Sequence, residues 1–349
     1  MKSDKINQLF EPHENINHIR ISLKPIKLLG NKISCNYPNR IHISPIDCNR
    51  FNFGESGGGA IGFAVKSSNF IEMELSNKTE YSGPSEQKPV ALRAIHLMYK
   101  FLEIKEKLSI KLSISPEVAS HVGLGSNACL MAAICQSINT MFDNPLSTRS
   151  IMQIIGHNFA ESHMQKCILG LDTGLAPSVV LLGGFNLVSI NSVIVWHDDF
   201  SLLRKILIIK PNIHRPEFDG SEDEAMLNRS FYEDNKARGY RSYEILMDLI
   251  PAIINKDTKK IGEIIWNIQF SGTHLSMIQK YGAYGAEMYS LFGNLKTLGA
   301  EILGLSSVGP SIFVYSSDYD NIVSFLASSG LKYFSTEIQS QPLNPKLSQ

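Results

Sequence analysis

His121-Val122-Gly123-Leu124-Gly125-Ser126-Asn127-Ala128 is the stretch on which the reading of this chain turns. Just before it, Leu108 to Ile114 (Leu-Ser-Ile-Lys-Leu-Ser-Ile) alternates strictly and predicts a strand, leading into a Gly- and Ser-rich loop over 116–126. After it, about Asn127 to Phe142 is small and apolar and predicts a buried helix. Glycines between a strand and a helix let the backbone turn tightly and approach a ligand closely. The first N–H groups of the helix have no partner inside it, and the helix dipole favours negative charge there. Together these features read as a phosphate or pyrophosphate cradle. The alternative is a tight strand-to-helix turn that holds nothing. No Gly-Lys-Ser/Thr follows, so this is not a Walker loop, and the third glycine and later acid of the dinucleotide fingerprint are also missing.

Working outward, Ile33 to Val65 alternates with turn residues, as hairpin strands do, and Gly57-Gly58-Gly59 predicts a bend into a strand. Helices are predicted over Pro89–Lys105, Thr148–Lys166, Glu224–Asn235, Tyr243–Asn255, Ile261–Gln279, Ala283–Leu298 and Tyr319–Ser328. A Gly-rich turn, Ile168 to Gly174, opens an apolar segment that ends at Gly183-Gly184. Strands are predicted over Phe185–Val195, Ile206–Ile209, Ile302–Leu305, Ser311–Tyr315 and Leu331–Thr336. Residues 1–32 read as an extension or an edge strand, 33–196 as one domain and 197–349 as a second, α+β domain of ferredoxin-like kind.

Composition bounds the partners. The chain has 349 residues with 33 basic and 33 acidic side chains, so no global field favours nucleic acid or an anionic membrane. An anionic ligand needs a local site. The five cysteines show no CxxC pair, which predicts reduced thiols and no zinc site. The first residues lack a signal-peptide core, and no apolar run approaches the roughly 18 residues that span a bilayer, so a cytoplasmic protein is expected.

Gly-Leu-Gly-Ser at 123–126, after a strand and before an apolar helix, resembles the second motif of the GHMP small-molecule kinases. Leu305-Ser306-Ser307-Val308-Gly309-Pro310-Ser311 resembles their third motif in a variant form. More closely, the chain resembles one branch of that superfamily, the β-ribofuranosylaminobenzene 5′-phosphate synthases and related C-nucleoside synthases. The resemblance runs in order through Arg40-Ile41-His42 to Asp47, Gly58–Val65, His121–Ser126, His197-Asp198, Leu207–Ile209, Pro251–Ile253, Gln269-Phe270 and Gly304–Ser311. It implies an α+β GHMP-kinase fold, with a ribosomal-S5-like N-terminal domain, a ferredoxin-like C-terminal domain and a ligand cleft between them. It also implies phosphoribosyl pyrophosphate as donor, an aromatic carboxylic acid as acceptor, Mg²⁺ as cofactor and a homodimer. One departure is Asn127, where a glycine commonly follows Gly-Ser.

GHMP kinases usually carry an acid shortly before a Gly-Gly pair. Counted back from Gly183-Gly184, that position is Ala176, which can neither take a proton nor bind a metal. The synthase branch lacks the acid too. Asp172, four residues earlier, is open to three readings: the kinase acid in a shifted alignment, a contact with Thr173 to ribose or metal, or a turn and N-cap residue. An ATP-dependent kinase and a non-catalytic ligand-binding protein of this fold are therefore the competing functions.

The remaining candidates each have a plainer role beside the functional one. Arg40 and His42 alternate on a strand and share a face. Arg40 suits a carboxylate or phosphate clamp, or is a strand surface residue. His42 suits catalysis or acceptor contact, or is a structural histidine. Asp47 suits Mg²⁺ or ribose, or a turn. His121 and His197 are candidate acceptor or ribose contacts. Gly123, Leu124, Gly125, Ser126 and Asn127, with Ser306, Ser307 and Gly309, are the candidate phosphate contacts, or else two structural turns.

Overall fold

The computed structural model describes residues 19, 21–51, 55–104, 109–117, 122–163, 166–211, 220–272, 274, 278 and 283–348. His121 and the segment 212–219 lie outside the described residues, so the expectation for His121 is not addressed.

Among the described residues the N-terminal half is built from two large sheets, a small hairpin and four α-helices. Strands β1 (Lys32–Asn36), β4 (Phe70–Ser76), β5 (Glu80–Ser82) and β6 (Ser109–Ser115) join a C-terminal strand β15 (Lys346–Ser348) in the order β15-β1-β4-β6-β5. A second sheet runs β10-β9-β3-β2, from β2 (Asn39–Pro45), β3 (Ala60–Val65), β9 (Phe185–Ser189) and β10 (Val193–Asp198). Helices α1 (Lys88–Phe101), α2 (Ser126–Met141), α3 (Thr148–Asn158) and α4 (Leu175–Leu182) complete this half. α2 is buried along nearly its whole length, which is why its sequence shows no polar stripe.

Two local expectations are corrected here. The helix predicted over Thr148–Lys166 stops at Asn158, and the chain then forms a hairpin, β7 (Ala160–His163) with β8 (Lys166–Leu169). Asn158 ends the helix by turning its own amide back onto the Ile154 carbonyl, an alternative to continuing the ladder. The single strand predicted over Phe185–Val195 is two, β9 and β10, joined by a turn with Asn191 and Ser192 at positive φ.

The C-terminal half has the chain order β11 (Ile206–Lys210), helices, β12 (Ile302–Leu305), β13 (Ile312–Tyr315), a helix α9 (Asp320–Ser328) and β14 (Lys332–Thr336). Its sheet order is β12-β13-β11-β14, all antiparallel pairs. That is a βαββαβ unit with its first and third strands central, the ferredoxin-like arrangement. Between β11 and β12 lie α5 (Gly220–Glu244), a π-helical turn Ile245–Leu249, α6 (Ile250–Ile254), α7 (Thr258–Gln269) and α8 (Ala283–Thr297). The two helices predicted over Glu224–Asn235 and Tyr243–Asn255 are thus one continuous helical run.

The halves are not separate bodies joined by a linker. The expected cut at 196/197 falls inside β10, and the chain after Thr336 returns to the first half. There Ile338 pairs with Val65, Leu343 joins the first core, and β15 adds to β1. One apolar core is shared by β2, β3 and β9 with β11, β12, β13 and α7, and contains Leu124. Phe63 sits at its centre, 5.2 Å from Phe200 and edge-on to Phe313 at 5.7 Å.

A second tie is ionic. Asp234 and Arg241 on α5, both essentially inaccessible to solvent, form an ion pair of 2.6 Å. Arg241 Nη2 also donates to the Ile46 carbonyl, and Asp234 accepts the Cys48 N–H, so the pair fixes α5 to the chain leaving β2. Removing one partner strands a buried charge. Asp234→Ala is therefore expected to lower the unfolding free energy by about 3–5 kcal/mol in urea titration. A loss under about 1 kcal/mol would show that the pair carries little.

Candidate functional site

β2 is an edge strand, and its outward backbone groups need partners. The glycine loop and the 306–309 turn supply them. Arg40 N–H donates to the Leu124 carbonyl at 3.0 Å, His42 N–H donates to Ser306 Oγ at 3.2 Å, and the His42 carbonyl accepts the Ser307 N–H at 2.9 Å. Ser306 Oγ in turn donates to the Gly123 carbonyl at 2.7 Å. Loop, edge strand and turn are thereby locked into one assembly that spans both halves of the chain.

This corrects the role expected for Ser306, Ser307 and Gly309. Ser306 is inaccessible, and the N–H groups of Ser306, Ser307 and Gly309 are all spent on carbonyls: those of Ser311, His42 and Ser306. Through these bonds the turn braces the loop, and these N–H groups are not free for a phosphate.

The loop itself keeps the form read from the sequence. Gly123 and Gly125 have φ of +86° and +73°, where side chains are strained. A Cβ on Gly123 would sit 2.5 Å from the Ser306 carbonyl oxygen, and one on Gly125 would sit 2.8 Å from Arg40 Nε. The first bond of α2 runs from Cys129 N–H to the Gly125 carbonyl at 2.9 Å, so the N–H groups of Ser126, Asn127 and Ala128 precede it and have no backbone partner among the described residues.

Arg40 supplies the charge at this helix start. Its guanidinium lies against Gly125, and its buried Nε and Nη1 have no hydrogen-bond partner among the described residues. Burial pulls its pKa down, while Cys129 and Asp172 nearby oppose that. Asn127, also buried, has an unpartnered Oδ1. Nitrogen donors without acceptors among the described residues, at a helix N-terminus beside glycines, are an arrangement that suits an anion.

Asp172 and Thr173 come to the same place. Asp172 is only 5% exposed and lies near Arg40. Its Oδ2 accepts the Gly174 N–H at 3.0 Å, and Thr173 Oγ1 accepts the Leu175 N–H at 3.3 Å, so both residues shape the turn that leads into α4, whose N-cap is Gly174. The turn role is real for each of them. Ala176 is buried in the first core, with no carboxylate in its place. His42 is buried with Nδ1 unpartnered, and its pKa is well below 6.5 through burial, then the charge of Arg40, then His274.

The Asp172 carboxyl titrates unusually high. Burial raises it to about 6, against the pull of the Gly174 N–H, Arg40 and Thr173. A carboxyl whose folded pKa exceeds its unfolded one binds its proton more tightly in the folded state. The stability this gives is complete below about pH 4 and lost as pH rises through about 6, on the order of 3 kcal/mol in all. Asp172→Asn cannot ionise. Relative to it, the native chain is expected to weaken between about pH 4 and 6 and stay level above, as read by thermal unfolding of both proteins. A pH-independent difference would contradict this assignment.

Two candidates are not brought to the site. Asp47 is held by Arg238 at 3.0 Å and Arg50 at 3.4 Å, and accepts the Asn49 N–H, so it serves the turn after β2 instead of ribose or metal. His197 is exposed on β10, the edge of the sheet opposite β2, and pairs there with Asn186. Three buried polar residues went unread. They are Arg241 and Asp234, seven apart and so on one helix face, and His274. The seven-residue spacing was the available signal, hidden because α5 is polar overall and carries Gly239. Gln269, quoted only as part of the resemblance, bridges β2 to β12: its amide donates to the Ile43 carbonyl and accepts the Leu305 N–H.

Comparison with known proteins agrees with this architecture. Residues 90–172 match the family described as GHMP kinases N terminal domain. The β-ribofuranosylphenol 5′-phosphate synthase of Methanocaldococcus jannaschii is 24% identical over 310 residues, 80% of this chain and 88% of that protein. That of Archaeoglobus fulgidus is 21% identical over 288 residues, 79% and 85% respectively. The crystal structure of mevalonate diphosphate decarboxylase from Staphylococcus aureus shares the fold at a TM-score of 0.65 and 12% identity, covering 92% of this chain and 98% of that one. Residues 90–172 thus match a GHMP-kinase N-terminal domain, and the chain has an α+β GHMP-kinase fold. The similarity to these two synthases runs along four-fifths of the chain, in keeping with the branch its motifs resemble. Among the described residues no helix is long and apolar enough to cross a membrane.

Proposed function

We propose that the protein is a decarboxylating phosphoribosyltransferase, which joins the C1 of phosphoribosyl pyrophosphate to the ring carbon of an aromatic or heteroaromatic carboxylic acid. The observation that carries this reading is the Arg40 guanidinium, whose Nε and Nη1 have no hydrogen-bond partner among the described residues, beside the first turn of α2. Together they suit a diphosphate that gains charge as it leaves. The C1–O bond breaks and its electron pair departs with pyrophosphate. The ring carbon bearing the carboxylate forms the new bond to C1, the carbon–carboxylate bond breaks, and its electrons restore the ring. Carbon dioxide is lost in place of a proton, so the step needs no general base. Ala176 at the position of the kinase acid is compatible with that.

Among the described residues no three His, Cys, Asp or Glu side chains converge as a metal cage. Mg²⁺ commonly binds through one or two carboxylates plus substrate phosphates. Asp172 and the pyrophosphate meet that requirement, and the ion would neutralise charge on the leaving group. A chelator is therefore expected to abolish turnover. A cytoplasmic homodimer is the assembly carried over from the resemblance.

The test is incubation with phosphoribosyl pyrophosphate, Mg²⁺ and a panel of aromatic carboxylates. Pyrophosphate and carbon dioxide should appear one for one. One observation favours a second reading, an ATP-dependent kinase: Asp172 is a buried carboxyl with a pKa near about 6, able to take a hydroxyl proton. Transfer of the γ-phosphoryl of ATP to a small hydroxyl compound, lost in Asp172→Asn, would establish that reading instead.

A further inference from the structure

A second group of orphaned nitrogens lies beyond Arg40 along β2. A bulge between His42 and Ser44 breaks the pairing of β2 with β3 and re-aims the strand there. His42 Nδ1, both ring nitrogens of His274 and Arg241 Nε are buried with no hydrogen-bond partner among the described residues. The groups are neighbours. His42 feels His274, and His274 feels Arg241 and Asp234 and lies close to the Ile43 carbonyl. Buried polar atoms are nearly always satisfied, so nitrogens orphaned together mark the place of a missing partner.

We propose that His42 and His274, with Arg241 behind them, form a subsite for the carboxylate of the aromatic acceptor, separate from the pyrophosphate site at the glycine loop. The proposal rests on the transferase reading for the identity of the ligand. The charge around the subsite favours a carboxylate over the donor's dianionic 5′-phosphate. Arg241 is already balanced by Asp234 at 2.6 Å. Burial, with the Arg241 charge added, lowers the His274 pKa to about 4, and His42 is lowered likewise, so both rings are neutral at physiological pH. Neutral imidazoles hold a carboxylate by hydrogen bonds without pinning it as an ion pair would. A carboxylate held that way is freer to leave as uncharged carbon dioxide.

Calorimetry with 4-hydroxybenzoate, 4-hydroxybenzamide, ribose 5-phosphate and pyrophosphate tests this on the full chain. The native protein is expected to bind the benzoate at least about tenfold more tightly than the benzamide. His274→Leu should weaken benzoate binding by about tenfold or more and leave pyrophosphate and ribose 5-phosphate within about twofold. His274→Gln, which keeps a donor, should recover part of the loss. Unchanged benzoate affinity in His274→Leu, a loss falling on ribose 5-phosphate instead, or no benzoate binding by the native protein would each overturn the subsite. If the native protein released no carbon dioxide from any acceptor while the benzoate loss at His274 persisted, the transferase reading would fail and the subsite would stand.

Discussion

Arg40→Met is expected to lower the affinity for pyrophosphate by about 100-fold or more, with the fold intact. The half-buried side chain lies against Gly125 at the start of α2, and its buried Nε and Nη1 have no hydrogen-bond partner among the described residues. A bound diphosphate would accept from both, by charge-assisted bonds in a place of low dielectric. Met keeps the length and apolar stem but offers no donor. Without ligand the guanidinium is largely desolvated and has no hydrogen-bond partner for Nε and Nη1 among the described residues, with only the nearby Asp172 to offset its charge, so its removal is expected to leave stability unchanged or raise it. Calorimetric titration and thermal unfolding of the same sample separate the two effects. Retained pyrophosphate affinity, or loss of affinity together with loss of fold, would contradict the assignment.

The two loop glycines are expected to fail differently when changed to alanine. At Gly123 the new Cβ would meet a backbone oxygen, that of Ser306, at 2.5 Å with φ at +86°. Neither side can yield without parting the loop from the turn that braces it. The conformation alone costs about 1–3 kcal/mol, and Gly123→Ala should lose that much stability or more, together with activity. At Gly125 the Cβ would meet the Arg40 guanidinium, the end of a flexible side chain, at 2.8 Å. That arginine can move aside. Gly125→Ala should therefore carry mainly the conformational strain of φ +73° and lose diphosphate binding by displacing Arg40. Denaturant midpoints compared with pyrophosphate affinities distinguish the two. Equal effects on both quantities at both positions would contradict the geometry.

Much of the fold was legible because its signals are local. The alternation before the glycine loop, the apolar helix after it and the βαββαβ order of the second half all follow from periodicity. What the sequence hid depends on contacts between distant segments. Nothing near Leu343 or Ile338 announces that the tail returns to the first half to complete a sheet and a core. The site divides along the same line. Strand alternation and glycine chemistry singled out Arg40 and the 123–127 loop, and the structure sets them side by side with Asp172 close to Arg40. Ser306 and Ser307 looked like phosphate donors because their hydroxyl and N–H groups are of the right type. Only the structure reveals that the Ser306 hydroxyl is already spent on Gly123 and the two N–H groups on Ser311 and His42. Asp47 and His197 carried the right chemistry too, but neighbouring charge claims one and the sheet's far edge the other. Arg241, Asp234 and His274 were invisible because a polar helix gives no sign of which of its charges is buried.

The central claim is that the amides opening α2, with Arg40, grip a diphosphate leaving group where no kinase carboxylate stands at Ala176. Parallel calorimetric titration with phosphoribosyl pyrophosphate and with ATP, each with Mg²⁺, tests it most directly. Saturable binding of phosphoribosyl pyrophosphate that disappears in Arg40→Met, with ATP bound weakly or not at all, is the expected result. Tight ATP binding with none for phosphoribosyl pyrophosphate would contradict it.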